Sequence, residues 1–279
     1  MTGAEVARLR EEAREVRKLT LQAVYWGKAG HVGGPLSCAD IMVALYFKVA
    51  RIDPSRPDWP DRYRIILSKG HSCLAQYGAM ARRGYFPVDE VRTFDQIDSR
   101  LQGHPDMCKL PGLDMSSGSL GQGLSAGLGM ALGARLKGLD FHTWVVLGDG
   151  ECQEGQIWEA AGMASRFGVD NLTAIVDGNG LQQFSDWGGL LPRDRWQPLE
   201  QASQRWRAFG WEVQEIDGHA PEAIVAACER ARGARGRPSV ILARTVKGKG
   251  VSFMENDASW HARVPTDGEL ARALKELAE

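Results

Sequence analysis

Residues 4 to 26 place apolar side chains at Val6, Leu9, Ala13, Val16, Leu19 and Ala23. Steps of three and four line up on one face of a helix, which predicts an amphipathic helix ending near residues 27 to 30. Ser37 followed three residues later by Asp40 reads as a capping-box-like start for a second helix over 41 to 49. The run Gly30-His31-Val32-Gly33-Gly34-Pro35 between them is too rich in glycine for either helix and reads as a loop. Arg64-Ile65-Ile66-Leu67 predicts a short buried strand that runs into Ser68-Lys69-Gly70-His71, with a helix following to about Arg83. Residues 89 to 115 show no clean period and are expected to hold a long loop around Gly103-His104-Pro105.

The second half alternates. Strands are predicted over 144–147, 172–176, 211–216 and 239–245, and helices over 156–167, 199–209 and 221–232. Strands separated by helices of ten or more residues imply βαβ units, hence a parallel sheet with helices on both faces. With no repeat, low-complexity tract or linker in view, the whole of residues 1 to 279 is read as one α/β domain. The run Gly118-Ser119-Leu120-Gly121 to Gly133 repeats small residues at a helical spacing of four. Glycine inside a helix costs about 1 kcal/mol relative to alanine, so this repetition implies a close backbone approach. A tightly packed internal helix and an interface helix explain it equally well.

Composition narrows the class. Lys plus Arg 34 against Asp plus Glu 35 leaves a formal charge of −1, which argues against a nucleic-acid or membrane-surface binder. The charged N-terminus has no apolar core of a signal peptide, and no apolar run approaches the roughly 18 residues of a membrane span. Cys38, Cys73, Cys108, Cys152 and Cys228 are scattered and form no CxxC pair, so a reducing cytosol fits best and a cytoplasmic location is expected.

Ligands of open parallel sheets sit at the carboxyl ends of the strands. Gly148-Asp149-Gly150-Glu151 follows one predicted strand and Asp177-Gly178-Asn179-Gly180 the next. If these strands are neighbours, Asp149 and Asn179 stand side by side. With the Leu181 carbonyl they make a hard-oxygen set that suits Mg²⁺, or Ca²⁺, and Mg²⁺ better because it completes its octahedron with water and phosphate oxygens. Such a set anticipates a diphosphate. Each turn alone is a common strand ending; the two together, about 30 residues apart, are much less so. Neither a GxGxxG fingerprint nor a P-loop is present in the required context. Four of the six histidines, His31, His71, His104 and His261, fall in loops on the expected ligand side, while His142 and His219 do not. Imidazoles there can donate to phosphate or move protons near neutral pH.

The motifs GHVGGPLS (30–37), LSKGHS (67–72), GHP (103–105), GSLGQGLSAGLGMA (118–131), LGDGECQEGQIWEA (147–160), NLTAIVDGNGLQ (171–182) and KGKGVSFMENDASWHAR (247–263) occur in order. Together they strongly resemble the cofactor-binding half of transketolase, over nearly the whole chain. The resemblance implies the thiamine diphosphate-binding α/β fold and thiamine diphosphate held through Mg²⁺ by Asp149, Asn179 and the Leu181 carbonyl. It further implies cofactor contacts from His71, Gly118, Ser119, Leu120, Gly150, Glu151 and His261. His31 and His104 would handle protons and orient substrate, His261 would touch both diphosphate and substrate, and Glu154 matches a subunit-interface carboxylate linking two sites. Ser119 stands where the family often has Pro, Gly178 is a small spacer, and Ala262 replaces a frequent Gly; none removes a side-chain ligand.

Full transketolases are longer. Their remaining pyrimidine-binding and C-terminal domains supply the glutamate that activates the cofactor and much of the acceptor pocket, and nothing in this sequence matches them. The resemblance therefore implies the N-terminal subunit of a two-chain transketolase, active only with a C-terminal partner subunit in an α2β2 heterotetramer. Its substrates would be small-molecule sugars, with ketol transfer from a ketose to an aldose phosphate. A related ketol transferase using an unusual sugar or secondary-metabolite acceptor, and a non-catalytic cofactor-binding paralogue, remain alternatives at this point.

Overall fold

The computed structural model describes residues 1–183, 199 and 201–279. Helix α1 (Gly3–Gly27) opens with a capping box, in which the Glu5 amide donates to Thr2 Oγ1 at 3.2 Å and the Thr2 amide to Glu5 Oε2 at 2.8 Å. Of the face expected from the spacing it buries Leu9, Ala13, Val16 and Ala23, with Val6 and Leu19 only partly covered; it also buries Leu21 and Val24, and it stops where Lys28 enters the left-handed region. Helix α2 (Gly33–Ala44) corrects the expected loop and the expected start at Ser37. Gly33, Gly34 and Pro35 form its first turn, where amides have no helical partner and proline is tolerated. The glycines are there for proximity, because a Cβ on Gly34 would lie 2.7 Å from Ser72 Oγ. The helix then widens into a π turn (Leu45–Val49).

Strand β1 (Arg64–Leu67) leads through a 3₁₀ turn (Gly70–Ser72) into α3 (Cys73–Arg83). The aperiodic stretch after it holds one 3₁₀ segment (Val88–Thr93) before α4 (Gln122–Lys137). Then follow β2 (Thr143–Gly148), a 3₁₀ turn (Glu151–Gln153), α5 (Gly155–Arg166) and β3 (Leu172–Gly178). Helix α6 (Ala202–Ala208) is shorter than the expected 199–209, of which residue 200 lies outside the described residues. The remainder is β4 (Glu212–Asp217), α7 (Pro221–Gly233), β5 (Ser239–Arg244), a 3₁₀ turn (Ala258–Trp260) and α8 (Asp267–Glu276).

The five strands are all parallel, in the order β1-β2-β3-β5-β4. Alternate side chains face two layers. Ile65, Leu67, Trp144, Val146, Ile175 and Ile241 pack with α1, α2, α3 and α7, while Ile66, Val145, Leu147, Ala174, Val176 and Val240 pack with α4, α5 and α6. The sheet is thus covered on both sides, as an all-parallel sheet requires. β2 and β3 are neighbours with Gly148 opposite Asp177, so the two turns that carry Asp149 and Asn179 leave adjacent strands at the same level.

One polar network ties these strand ends together. Asp177, fully buried, accepts hydrogen bonds from Lys69 Nζ after β1, from Thr245 Oγ1 after β5 and, at 2.5 Å, from Ser37 Oγ on α2. Asn179 Nδ2 adds a 3.3 Å bond. Burial pulls the Lys69 ammonium down, but the adjacent carboxylate outweighs it and holds Lys69 above its usual pKa.

Helix α4 answers the question raised by its glycines for one of its two small-residue stripes. A Cβ on Gly123 would overlap the Ser68 side chain, and one on Gly127 would meet Val145 Cγ2 at 2.5 Å, so this stripe is internal packing. Gly129 and Gly133 have nothing within 4 Å of an added Cβ. Accordingly, Gly123→Ala is expected to destabilise the chain by about 1–3 kcal/mol through overpacking. Gly129→Ala is expected to leave stability unchanged or to raise it by up to about 1 kcal/mol. Urea denaturation of both variants checks the contrast, and equal effects would contradict it.

Candidate active site

The carboxyl ends of β1, β2, β3 and β5, the α1–α2 junction and the turn at 258–261 surround a cavity of about 660 Å³. Its lining includes His31, Lys69, His71, Gly118, Leu120, Asp149, Gly150, Glu154, Asn179, Leu181, Lys247 and His261. Position follows from topology: each loop leaves a strand at the same edge of the sheet.

The β2 and β3 turns are locked to each other. Gly180 N donates to Asp149 Oδ2 at 2.7 Å and Gly150 N to Oδ1 at 2.8 Å. Asn179 Oδ1 accepts from Leu181 N at 3.1 Å. Burial, and next the charge of Asp177, push the Asp149 carboxyl up to about 6. This carboxylate therefore sits in a place that favours a cation beside it. Among the described residues no three His, Cys, Asp or Glu side chains gather into a metal-holding group. The oxygens present are one carboxylate, one amide and one carbonyl, a partial hard set that fits an ion completing its shell with water and phosphate and does not fit a closed zinc-type site.

Glu151, expected among the cofactor contacts, commits its carboxylate to the protein. Ser68 Oγ lies 2.5 Å and Gly121 N 2.9 Å from Oε1, and Gly148 N lies 3.0 Å from Oε2. It thereby joins the β1 loop, the entry to α4 and the end of β2, and it also belongs to the lining of the cavity. Ser119 is exposed and lies outside the lining, although Gly118 and Leu120 on either side belong to it. Glu154 is exposed at the rim, where its Cβ would crowd any side chain at Gly121.

The four loop histidines converge. The His31 ring centroid lies 5.2 Å from His71, 5.1 Å from His261 and 6.2 Å from His104, and His71 lies 5.3 Å from His261. Burial, then the charges of neighbouring groups, lowers His31 to about 4 and His261 to about 3, and lowers His71 further. These three imidazoles are neutral at pH 7. His104 is exposed and lies outside the cavity lining, with Gly118, which belongs to the lining, against its ring.

Sequence reasoning missed two lysines in this role. In the sequence, Lys69 stands in the Ser68-Lys69-Gly70-His71 run after a strand and Lys247 opens the KGKG motif, neither read as a site residue. Lys247 is 2% exposed, with Nζ 2.8 Å from His261 Nδ1 and 3.4 Å from the Leu181 carbonyl oxygen. Burial and then Lys69 lower it to about 8. The signal was available: a lysine shortly after a buried strand, next to glycine, on the edge where ligands bind.

Comparisons with known proteins agree with this picture. The family model for the transketolase thiamine diphosphate-binding domain matches residues 9–277. The chain is 44% identical over 269 residues to SqwG of Clostridium sp., a 6-deoxy-6-sulfo-D-fructose transketolase subunit, covering 96% of each chain. It is 38% identical over 275 residues to one of the subunits of the apulose-4-phosphate transketolase of Phocaeicola vulgatus, covering 99% of this chain and 95% of that one. Among solved structures, transketolase from Leishmania mexicana superposes with a TM-score of 0.88 at 29% identity, over 97% of this chain but only 41% of that one. Motif order, sheet topology and the polar cavity at the strand ends thus converge with the relatives, and the chain belongs to the transketolase family as its thiamine diphosphate-binding N-terminal half.

Proposed function

We propose that this chain is the cofactor-holding subunit of a two-chain, Mg²⁺- and thiamine diphosphate-dependent transketolase, which moves a two-carbon ketol group from a ketose to an aldose acceptor. The observation that carries the reading is the cavity itself. A buried carboxylate with an amide and a carbonyl lies at one end and a cluster of neutral imidazoles lies around it. The two relatives matched over nearly their full lengths are named for a sulfo-ketose and a ketose phosphate, so the donor is taken to be a ketose carrying an anionic group.

Thiamine diphosphate, when bound, supplies the electron sink for breaking and remaking a carbon–carbon bond. The protein's own part is orientation and charge. Asp149, Asn179 and the Leu181 carbonyl would hold the Mg²⁺. Gly150, Gly118 and Leu120 offer backbone close to the cofactor, and His71, Lys247 and His261 present donors to its diphosphate. His31 and His104 face the remaining space, where substrate hydroxyls must exchange protons near neutral pH. The neutral His31 ring can both give and take a hydrogen bond, which a charged ring cannot. The partner is a C-terminal subunit with the pyrimidine-binding and C-terminal domains, assembled two by two with this one in the cytoplasm. All five cysteines are free, in keeping with a reducing compartment.

The decisive experiment is reconstitution. The chain with Mg²⁺ and thiamine diphosphate is expected to show no ketol transfer alone and to gain it when the partner subunit is added. Full turnover by the chain alone would refute the two-chain reading, and a silent pair would refute the transketolase reading. Asp149→Ala is expected to weaken Mg²⁺-dependent cofactor binding by more than the roughly 10–100-fold typical of losing an outer hydrogen-bond partner at a metal site; calorimetry showing unchanged affinity would remove the assignment. The imidazole signals of His31 and His261 are expected to remain those of neutral rings at pH 5 in nuclear magnetic resonance. The unfolded chain takes up protons near pH 6.5 that these folded rings refuse, so their contribution to stability is present above pH 6.5 and is lost as pH falls toward about 4 and 3. A melting temperature that rises between pH 6.5 and 5 would contradict this sign.

A further inference from the structure

His219, one of the two histidines away from the loop cluster, stands behind the cavity wall. Its Nε2 accepts from the Val246 amide at 2.9 Å, which leaves the ring proton on Nδ1, 2.8 Å from Asp40 Oδ2. The same carboxylate oxygen is paired with Arg17 Nη2, and Arg17 Nε donates to the Leu36 carbonyl at 3.1 Å. Arg17, Asp40 and His219 come from α1, α2 and the loop after β4, with side chains 8%, 5% and 14% exposed. A buried array of this kind fixes one tautomer and one ring orientation.

What it fixes is the turn carrying Lys247. On one side the Val246 amide is held by His219; on the other the Gly248 amide donates to the Gly33 carbonyl at 3.0 Å. Between the two anchors the Lys247 stem lies so close to α2 that a Cβ on Gly33 would be 2.9 Å from its Cγ. The ammonium emerges 2.8 Å from His261.

We propose that Arg17, Asp40 and His219 form a buried positioning relay which, through the Val246 amide, aims Lys247 into the end of the cavity that takes a diphosphate. The relay rests on the cofactor reading above but concerns residues that do not line that cavity. Helix α2 then serves the site twice, about one turn apart: Ser37 holds Asp177, and Asp40 holds His219.

The test is calorimetry of the full chain with Mg²⁺-pyrophosphate and Mg²⁺-thiamine diphosphate, together with amide exchange at Val246. His219→Leu is expected to speed Val246 exchange and weaken both ligands about tenfold, the scale of an outer-partner loss. His219→Gln, which keeps an acceptor for the amide, is expected to recover most of the affinity. In a Lys247→Met background, His219→Leu is expected to have no further effect, because residues acting through one another are non-additive. Equal losses with and without Lys247, or full affinity in His219→Leu, would overturn the relay while leaving the cofactor reading intact. A wild-type chain that binds neither ligand would overturn the cofactor reading and the relay with it.

Discussion

The pairing of Lys69 with Asp177 is the constraint on which the rest of the molecule turns. Both side chains are almost completely removed from solvent, and either alone would be a strongly unfavourable buried charge. Their pairing brings the loop after β1 to the end of β3, across the intervening β2. Ser37 and Thr245 bond the same carboxylate, so α2 and the β5 loop are drawn to the same point. Four chain segments that are far apart in sequence thereby acquire a common reference, and the turn bearing Asp149 is built directly on it.

Around that reference the cavity is made by close approach more than by large side chains. Gly70 leaves no room for a Cβ against Ser117 and Gly118, nor Gly123 against Ser68. Glu151 closes the same region with a carboxylate that binds backbone amides of β2 and of the entry to α4. Backbone and small residues form the floor, imidazoles form the walls, and two lysines supply the positive charge. A floor of this kind presents amide dipoles at short range with little side-chain entropy to lose.

Much of this could be read from the chain. Apolar runs of Val, Ile, Leu and Ala marked the strands buried on both faces, β1, β2, β3 and β5, whereas the part-exposed edge strand β4 was placed by its alternation between the two flanking helices. The two acidic turns stood out because adjacent parallel strands end together. The start of α2 could not be read, since Gly33-Gly34-Pro35 carries loop signals locally and is helical only because α2 packs against Ser72 and Lys247. The positions of Lys69 and Lys247 after buried strands could be read, but their pairing, like that of Asp177, could not: a buried charge is defined by its partner, and the partners lie 108 residues apart in one case. The resemblance pointed to Glu151 as a cofactor contact and it does line the cavity, but the three donors that hold its carboxylate, from the β1 loop, β2 and the entry to α4, meet only once the layers are assembled.

Asp149 links the site to the survival of the chain itself. Its carboxylate is sequestered next to Asp177, whose charge is already matched by Lys69, and the bonds that Asp149 receives come from backbone amides. The ion proposed for this place would supply the positive charge that neutral amides do not, and by mass action the folded population would grow with its free concentration. On the proposed reading, the supply of that ion would then also govern how long the chain escapes proteolysis, quite apart from any reaction it assists.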